Sequence, residues 1–183
     1  MSVSIPINIA LGALLLAYPV LVYFGLQIHS TGAIAAVLVL ATSLRTLLIR
    51  DYISLLMWLA ALTAAAFSWL GDSAIGLKSY PVFISICMLT AFSTSLWRGP
   101  TIIERLARLQ DPDLPPEGIV YCRKVTQVWC LFFIINGSIA CSTVFADDKI
   151  WALYNGLIAY IAMGILLAGE YILRQRAIKK NQP

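Results

Sequence analysis

"MSVSIPINIALGALLLAYPVLVYFGLQIHSTGAIAAVLVLATSL", Met1 to Leu44, contains no Asp, Glu, Lys or Arg. A helix crosses the apolar part of a bilayer in about 20 residues, so this stretch is about twice too long for one span. The polar break "QIHSTG" at Gln27–Gly32 divides it in two. A soluble domain would need polar residues to coat its core. With 60% hydrophobic and 12% charged residues, and mean hydropathy +0.84, this chain of 183 residues lacks them. The start, "MSVSIP", has no basic segment and points away from a cleavable signal peptide. The sequence reads as one membrane domain, residues 1–183.

Working outward, apolar length and charged interruptions predict six spans: Ile5–Leu26, Gly32–Ile49, Tyr52–Leu70, Ser79–Trp97, Val125–Phe145 and Ile150–Leu173. They lack the roughly ten-residue alternation of a transmembrane barrel, and a helix satisfies its own backbone in lipid. The expected fold is therefore all-α, a polytopic transmembrane helix bundle. Pro19 is expected to kink the first span. Five spans, with that first segment re-entrant, is the alternative. Ala60, Ala64 and Ser68 recur every four residues and offer a face for close helix approach.

Six spans place eleven of the thirteen Lys and Arg residues on one side, leaving Lys78 and Lys149 on the other. The positive-inside rule then puts both termini in the cytoplasm, N-in and C-in. It also explains the net charge of +4 through anionic lipid headgroups and without nucleic acid.

Nine charged residues fall in a proline-studded island from Arg98 to Lys124. Within it, "GPTIIERLARLQ" predicts a short cytoplasmic amphipathic helix. Thr101 and Glu104 have capping-box spacing and Pro100 favours a start. Ile102, Ile103, Leu106 and Leu109 are expected on one face, with Glu104, Arg105 and Arg108 on the other. "DPDLPPEG" should stop the helix, and Tyr121, Arg123 and Lys124 should mark re-entry into the bilayer. The island reads as a connector at the headgroups. Arg98, Arg105, Arg108, Arg123 and Lys124 form its candidate contact surface for other membrane proteins.

No catalytic constellation is visible, so no enzyme is expected. His29 is alone in a turn, Cys87, Cys122, Cys130 and Cys141 have no metal-ligand spacing, and no phosphate-binding loop occurs. No cofactor is expected. Asp147–Asp148 is expected to solvate a turn. Function in such a chain is sought among polar residues inside the bilayer. Asn136, Asn155, Gln127 and Glu170 are the candidates, with Glu170 expected to pair with Arg174 four residues on. Arg45 is expected to snorkel to the cytoplasmic face. No charge is expected in mid-bilayer.

Proline after the fourth span ("RGPTIIERL"), a "LP" turn, Trp129 with Phe132 and Phe133, Gly137, "IWALYNG" (Ile150–Gly156) and the closing "GEYILRQR" occur in that order. This order resembles the bacterial intracellular septation protein A family, small inner-membrane proteins of the cell envelope. The chain departs from the family's usual pattern in its longer first segment, in Asn155 where Lys is usual, and in Ala140–Ser142 where Asn is usual. The resemblance implies a non-enzymatic role in envelope biogenesis or integrity at the bacterial inner membrane. It would scaffold or modulate membrane-bound synthesis or division machinery through contacts with other inner-membrane proteins. The alternative is a small lipid or polyisoprenoid carrier, or an accessory to a lipid or glycolipid pathway, with a cleft reaching Asn136 or Asn155. Either reading is compatible with an oligomer.

Overall fold

The computed structural model describes residues 18–27, 31–49, 52–70, 73–109 and 111–180. Every regular element among them is helical. In chain order these are α1 (Tyr18–Gln27), α2 (Thr31–Ile49), α3 (Tyr52–Leu70), α4 (Ser73–Lys78), α5 (Tyr80–Trp97), α6 (Ile102–Arg108), α7 (Pro116–Val144), α8 (Asp148–Leu153), a π-helical turn (Tyr154–Ile158) and α9 (Ala159–Lys180). Among the described residues three stretches are long and apolar enough to cross a membrane: Ala74–Trp97, Pro116–Val144 and Asp148–Ile172. The apolar helices Ala33–Leu48 and Ser54–Trp69 are shorter. Of the first predicted span only the part from Tyr18 is described, with Pro19 at the start of α1; the preceding segment that a kink would bend, the re-entrant alternative and His29 lie outside the described residues.

α5 and α7 form the most extensive helix pair, with α3 against the other side of α5 and α2 against α3. Glycine permits the close approach of α5 and α7. A Cβ added at Gly137 would come within 3.0 Å of the Ser85 Cβ. Toward the α6 end of this seam, Phe92, Trp129 and Phe133 form a core with ring centroids 5.2–6.2 Å apart, and Phe132 edges onto it. Ala60, Ala61 and Ala64 are buried in a second core with Tyr18, Val22, Leu77, Tyr80 and Trp151. Ser68 continues the small face, and a Cβ on Gly76 would overlap it.

α4 and α5 are joined by helical hydrogen bonds through Ser79: its N–H donates to Ile75 O (3.0 Å) and its carbonyl accepts from Phe83 N (3.1 Å). Pro81 has no N–H and crowds the carbonyl one turn back, so carbonyls at this joint lack intrahelical donors. The bundle supplies them. Tyr18 Oη donates to Leu77 O (2.8 Å) and Trp151 Nε1 to Lys78 O (3.0 Å).

Lys78 then reaches the turn between α7 and α8. Its Nζ lies 2.7 Å from Asp148 Oδ1 and donates to Ala146 O at 2.9 Å. This overturns the expectation that Asp147–Asp148 merely solvates its turn. Asp148 neutralises a lysine that is only 6% exposed, and Asp147 accepts from Lys149 N (2.8 Å) to cap α8. The two turns predicted to share one side of the membrane therefore meet.

The island differs from its predicted form. Gly99, with φ 138°, reverses the chain after α5 at a position where a side chain would be strained. Thr101 caps α6 as expected, accepting from Glu104 N (3.2 Å), and Ser95 Oγ accepts from Ile102 N (3.2 Å). The helix faces are partly exchanged. Glu104 and Ala107 are buried, Ile102 and Ile103 are half-buried, and Leu106 and Leu109 are exposed. Glu104 can turn inward because Arg108, one turn on, donates to it through Nε (3.0 Å) and Nη2 (2.9 Å). Exposed leucines carry no penalty where lipid lies outside. The prolines do more than stop α6. Pro116 opens α7, since a proline's fixed φ suits the first helical position. The helix begins nine residues before the predicted Val125, so Tyr121, Arg123 and Lys124 lie on it rather than in a loop.

Candidate functional site

Between α1, α2, α3, α5, α7 and the π turn lies a cavity of about 300 Å³. Its walls are mostly apolar (Pro19, Met57, Ile84, Phe132, Phe133, Met163), and several polar groups converge on it. Asn136 of α7 donates through Nδ2 to Ser85 Oγ on α5 (3.2 Å) and accepts at Oδ1 from Tyr154 Oη (3.1 Å). These bonds fix its amide orientation and leave a second amide hydrogen over. Asn155, 4% exposed, donates through Nδ2 to Thr143 Oγ1 (3.1 Å) and Trp151 O (3.0 Å). Both asparagines thus bridge elements, as interhelical polar residues in lipid do.

The π turn helps place Asn155. One extra residue in the turn closes an i→i+5 bond, from Ala159 N–H to Tyr154 O, and shifts the angular phase at which α9 continues. Such bulges are frequent at functional sites. Here the widened turn sits where Asn155, Ala159 and Tyr160 all line the cavity. Gly156 stands on the adjoining side, where an added Cβ would lie 3.4 Å from Pro19 of α1.

Tyr18 and Tyr80 meet edge-on, ring centroids 4.7 Å apart. The Tyr18 hydroxyl is bonded to Leu77 O, whereas the Tyr80 hydroxyl is buried and has no hydrogen-bond partner. Arg45 supplies the cavity's charge. Instead of snorkelling to the headgroups as expected, it donates through Nε to Ser54 Oγ (3.1 Å), and its side chain lines the cavity. Among the described residues no Asp or Glu lines it. Lys78, at the turn before α5, is buried as well. A second hollow of about 600 Å³ follows the α5–α7 seam and shares Ser85 and Phe133 with the cavity; Val82, Ile86, Leu89 and Phe145 make it largely apolar.

Of the predicted positions, only Asn136 and Asn155 belong to this site. Gln127 is exposed on α7. Glu170 is half-buried on α9 and forms no ion pair with Arg174; the ion pairs among the described residues are Lys78–Asp148 and Glu104–Arg108. Its backbone carbonyl accepts instead from Tyr121 Oη (3.2 Å), tying α9 to the start of α7. Arg98, Arg105, Arg123 and Lys124 are exposed, while Arg105 also donates to Pro100 O (2.9 Å) and Arg108 to Pro112 O (3.2 Å). Sequence reasoning alone misses Arg45, Tyr80 and Ser85 as parts of the site. The available signal is Arg45 itself, the first charge after 44 uncharged residues and four positions inside the predicted span end. Among the described residues no three His, Cys, Asp or Glu side chains come together as metal ligands would. Comparisons with protein-family models, characterised proteins and solved structures find no significant match.

Proposed function

We propose that this chain is a multi-pass protein of the bacterial inner membrane that binds the polar end of a membrane amphiphile in the cavity between its helices. It acts there as a lipid or polyisoprenoid carrier, or as an accessory to a lipid or glycolipid pathway. The cavity carries this reading. Helix bundles in lipid cohere by close packing, and a void lined by donors and acceptors gives up packing that a purely structural asparagine would keep. The apolar seam groove beside it offers a path for a chain. Six spans with N-in and C-in topology suit this role. α2 and α3, 19 residues each, reach about 28 Å at 1.5 Å per residue, close to the roughly 30 Å hydrocarbon core.

The test uses liposomes containing the protein and a diazirine-bearing phospholipid, with crosslinked peptides mapped by mass spectrometry. Adducts should concentrate on Asn136, Tyr160 and Met163. Asn136→Leu and Asn155→Leu should each reduce them at least roughly tenfold, as expected when one buried polar recognition contact is lost. Labelling spread evenly over lipid-facing residues, and indifferent to both substitutions, would remove the cavity from the account.

The resemblance to the septation protein A family and the exposed Leu106, Leu109 and Arg105 favour a second reading, a scaffold that grips envelope proteins through the island. Arg105→Glu with Arg108→Glu should then strip specific partners from crosslinked native membranes. The same partners recovered from both proteins would end that reading.

A further inference from the structure

The chemistry of the amphiphile's head can be read from what the cavity leaves unsatisfied, on the footing that the cavity is a binding site. We infer that it takes a lipid-borne oxyanion, the phosphate of a single-chain phosphate monoester being the simplest case. Three features converge. Arg45 lines the cavity with its Nε on a neutral serine hydroxyl, and it forms no ion pair among the described residues. A cation drawn into a bundle in lipid calls for a counter-charge or other acceptors, and none of the described lining residues is acidic. A guanidinium presents its terminal N–H groups in a planar fork that matches an oxyanion's paired oxygens. Tyr80 also lines the cavity, and its hydroxyl, on a residue 5% exposed, is buried without a partner. Buried hydroxyls are rarely left so, which marks this one as a donor awaiting an acceptor. Asn136 retains a second amide hydrogen after bonding Ser85. Among the described residues the site therefore offers one positive charge and two free donors.

Size limits what enters. A cavity of about 300 Å³ lies at the lower end for ligand pockets, enough for a head group and the first carbons of one chain. The rest of the chain would lie along the apolar α5–α7 seam, whose walls share Ser85 and Phe133 with the cavity.

The experiment is calorimetric titration of the purified full-length protein in maltoside detergent with dodecyl phosphate, dodecanol and inorganic phosphate. Dodecyl phosphate is expected to bind saturably, dodecanol at least roughly tenfold more weakly, and inorganic phosphate not to compete. Arg45→Gln should weaken dodecyl phosphate at least roughly tenfold and Arg45→Lys less. Tyr80→Phe should weaken it several-fold while the ligand-free protein melts at the same temperature or higher, because the substitution removes an unsatisfied buried hydroxyl. That opposite movement of affinity and melting separates a ligand donor from a structural group. Equal binding of dodecanol and dodecyl phosphate overturns the anion and leaves the amphiphile cavity standing. Inorganic phosphate binding as tightly as dodecyl phosphate overturns the lipid attribution. If neither dodecyl compound binds, the inference and the reading beneath it both fail.

Discussion

Lys78→Met is expected to lower the stability of the folded bundle by about 3 kcal/mol, the low end of the 3–5 kcal/mol typical for breaking a buried ion pair. Lys78 is 6% exposed and makes its contacts across 70 residues of sequence, joining the turn before α5 to the turn after α7. Removing the ammonium leaves Asp148 and the Ala146 carbonyl without their donor. The Asp148 side chain is 35% exposed, so water or headgroups recover part of its solvation, which holds the cost at the low end. A double variant, Lys78→Met with Asp148→Leu, should regain a good part of the loss, because a pair replaced by apolar groups leaves no orphaned charge. Thermal unfolding in detergent, followed by tryptophan fluorescence, checks both. The idea fails if the single and double variants are equally destabilised, or if Lys78→Met melts with the unchanged protein.

This pair also shows where the sequence stops being informative. Span existence can be read from composition alone, because an apolar run near 20 residues can satisfy its backbone in lipid only as a helix. The rotation of each helix cannot. In water the apolar side of a helix points to the core, but in lipid both sides are apolar and hydropathy carries no such phase. Sequence pattern therefore sends Arg45 outward to snorkel when it turns inward to the cavity. It likewise misplaces the faces of α6, where Glu104 lies inside and Leu106 outside. Local patterns succeed according to their range. Thr101 with Glu104 announces the start of α6, since the capping hydroxyl and the N–H that donates to it lie three residues apart. Pro115–Pro116 reads as a breaker because the same ring that ends one helix starts another, and the residues after it decide between the two.

The candidate site divides along the same line. Asn136 and Asn155 are visible as amides in apolar spans, a cost that calls for partners. Tyr80 is not, because a tyrosine at a span end reads as an interfacial anchor. Its role emerges only beside Tyr18, whose hydroxyl goes to Leu77 O and leaves Tyr80 unbonded. The π turn, too, leaves no mark in the sequence "YNGLI" that would separate it from ordinary helix.

Trp151→Ala is the second large effect expected. Trp151 is fully buried in the core formed with Tyr18, Val22, Leu77 and Tyr80, and its indole N–H bonds the Lys78 carbonyl at 3.0 Å. Truncating a buried tryptophan in a soluble core costs about 3–5 kcal/mol, part transfer and part cavity. In lipid the transfer part shrinks, since the tails are as apolar as the core. The cavity remains, because lost dispersion contacts are not restored by lipid outside the bundle. The Lys78 carbonyl, left without its donor beside Pro81, adds about 1–3 kcal/mol. A total near 3–5 kcal/mol therefore stands, now with a different composition. Trp151→Phe separates the two contributions. It keeps most of the volume and loses the N–H, so it should cost about 1–3 kcal/mol, chiefly the carbonyl's share. The loss should also reach the cavity. The Trp151 carbonyl accepts from Asn155 Nδ2 at 3.0 Å, and collapse of this turn would release Asn155 from the orientation it holds with Thr143. Trp151→Ala should therefore weaken amphiphile crosslinking at Asn136 and Met163 under conditions where the variant remains folded, and Trp151→Phe should leave it close to normal. Full crosslinking by a strongly destabilised Trp151→Ala protein would show that Asn155 is positioned by the π turn and Thr143 without help from the tryptophan beneath them.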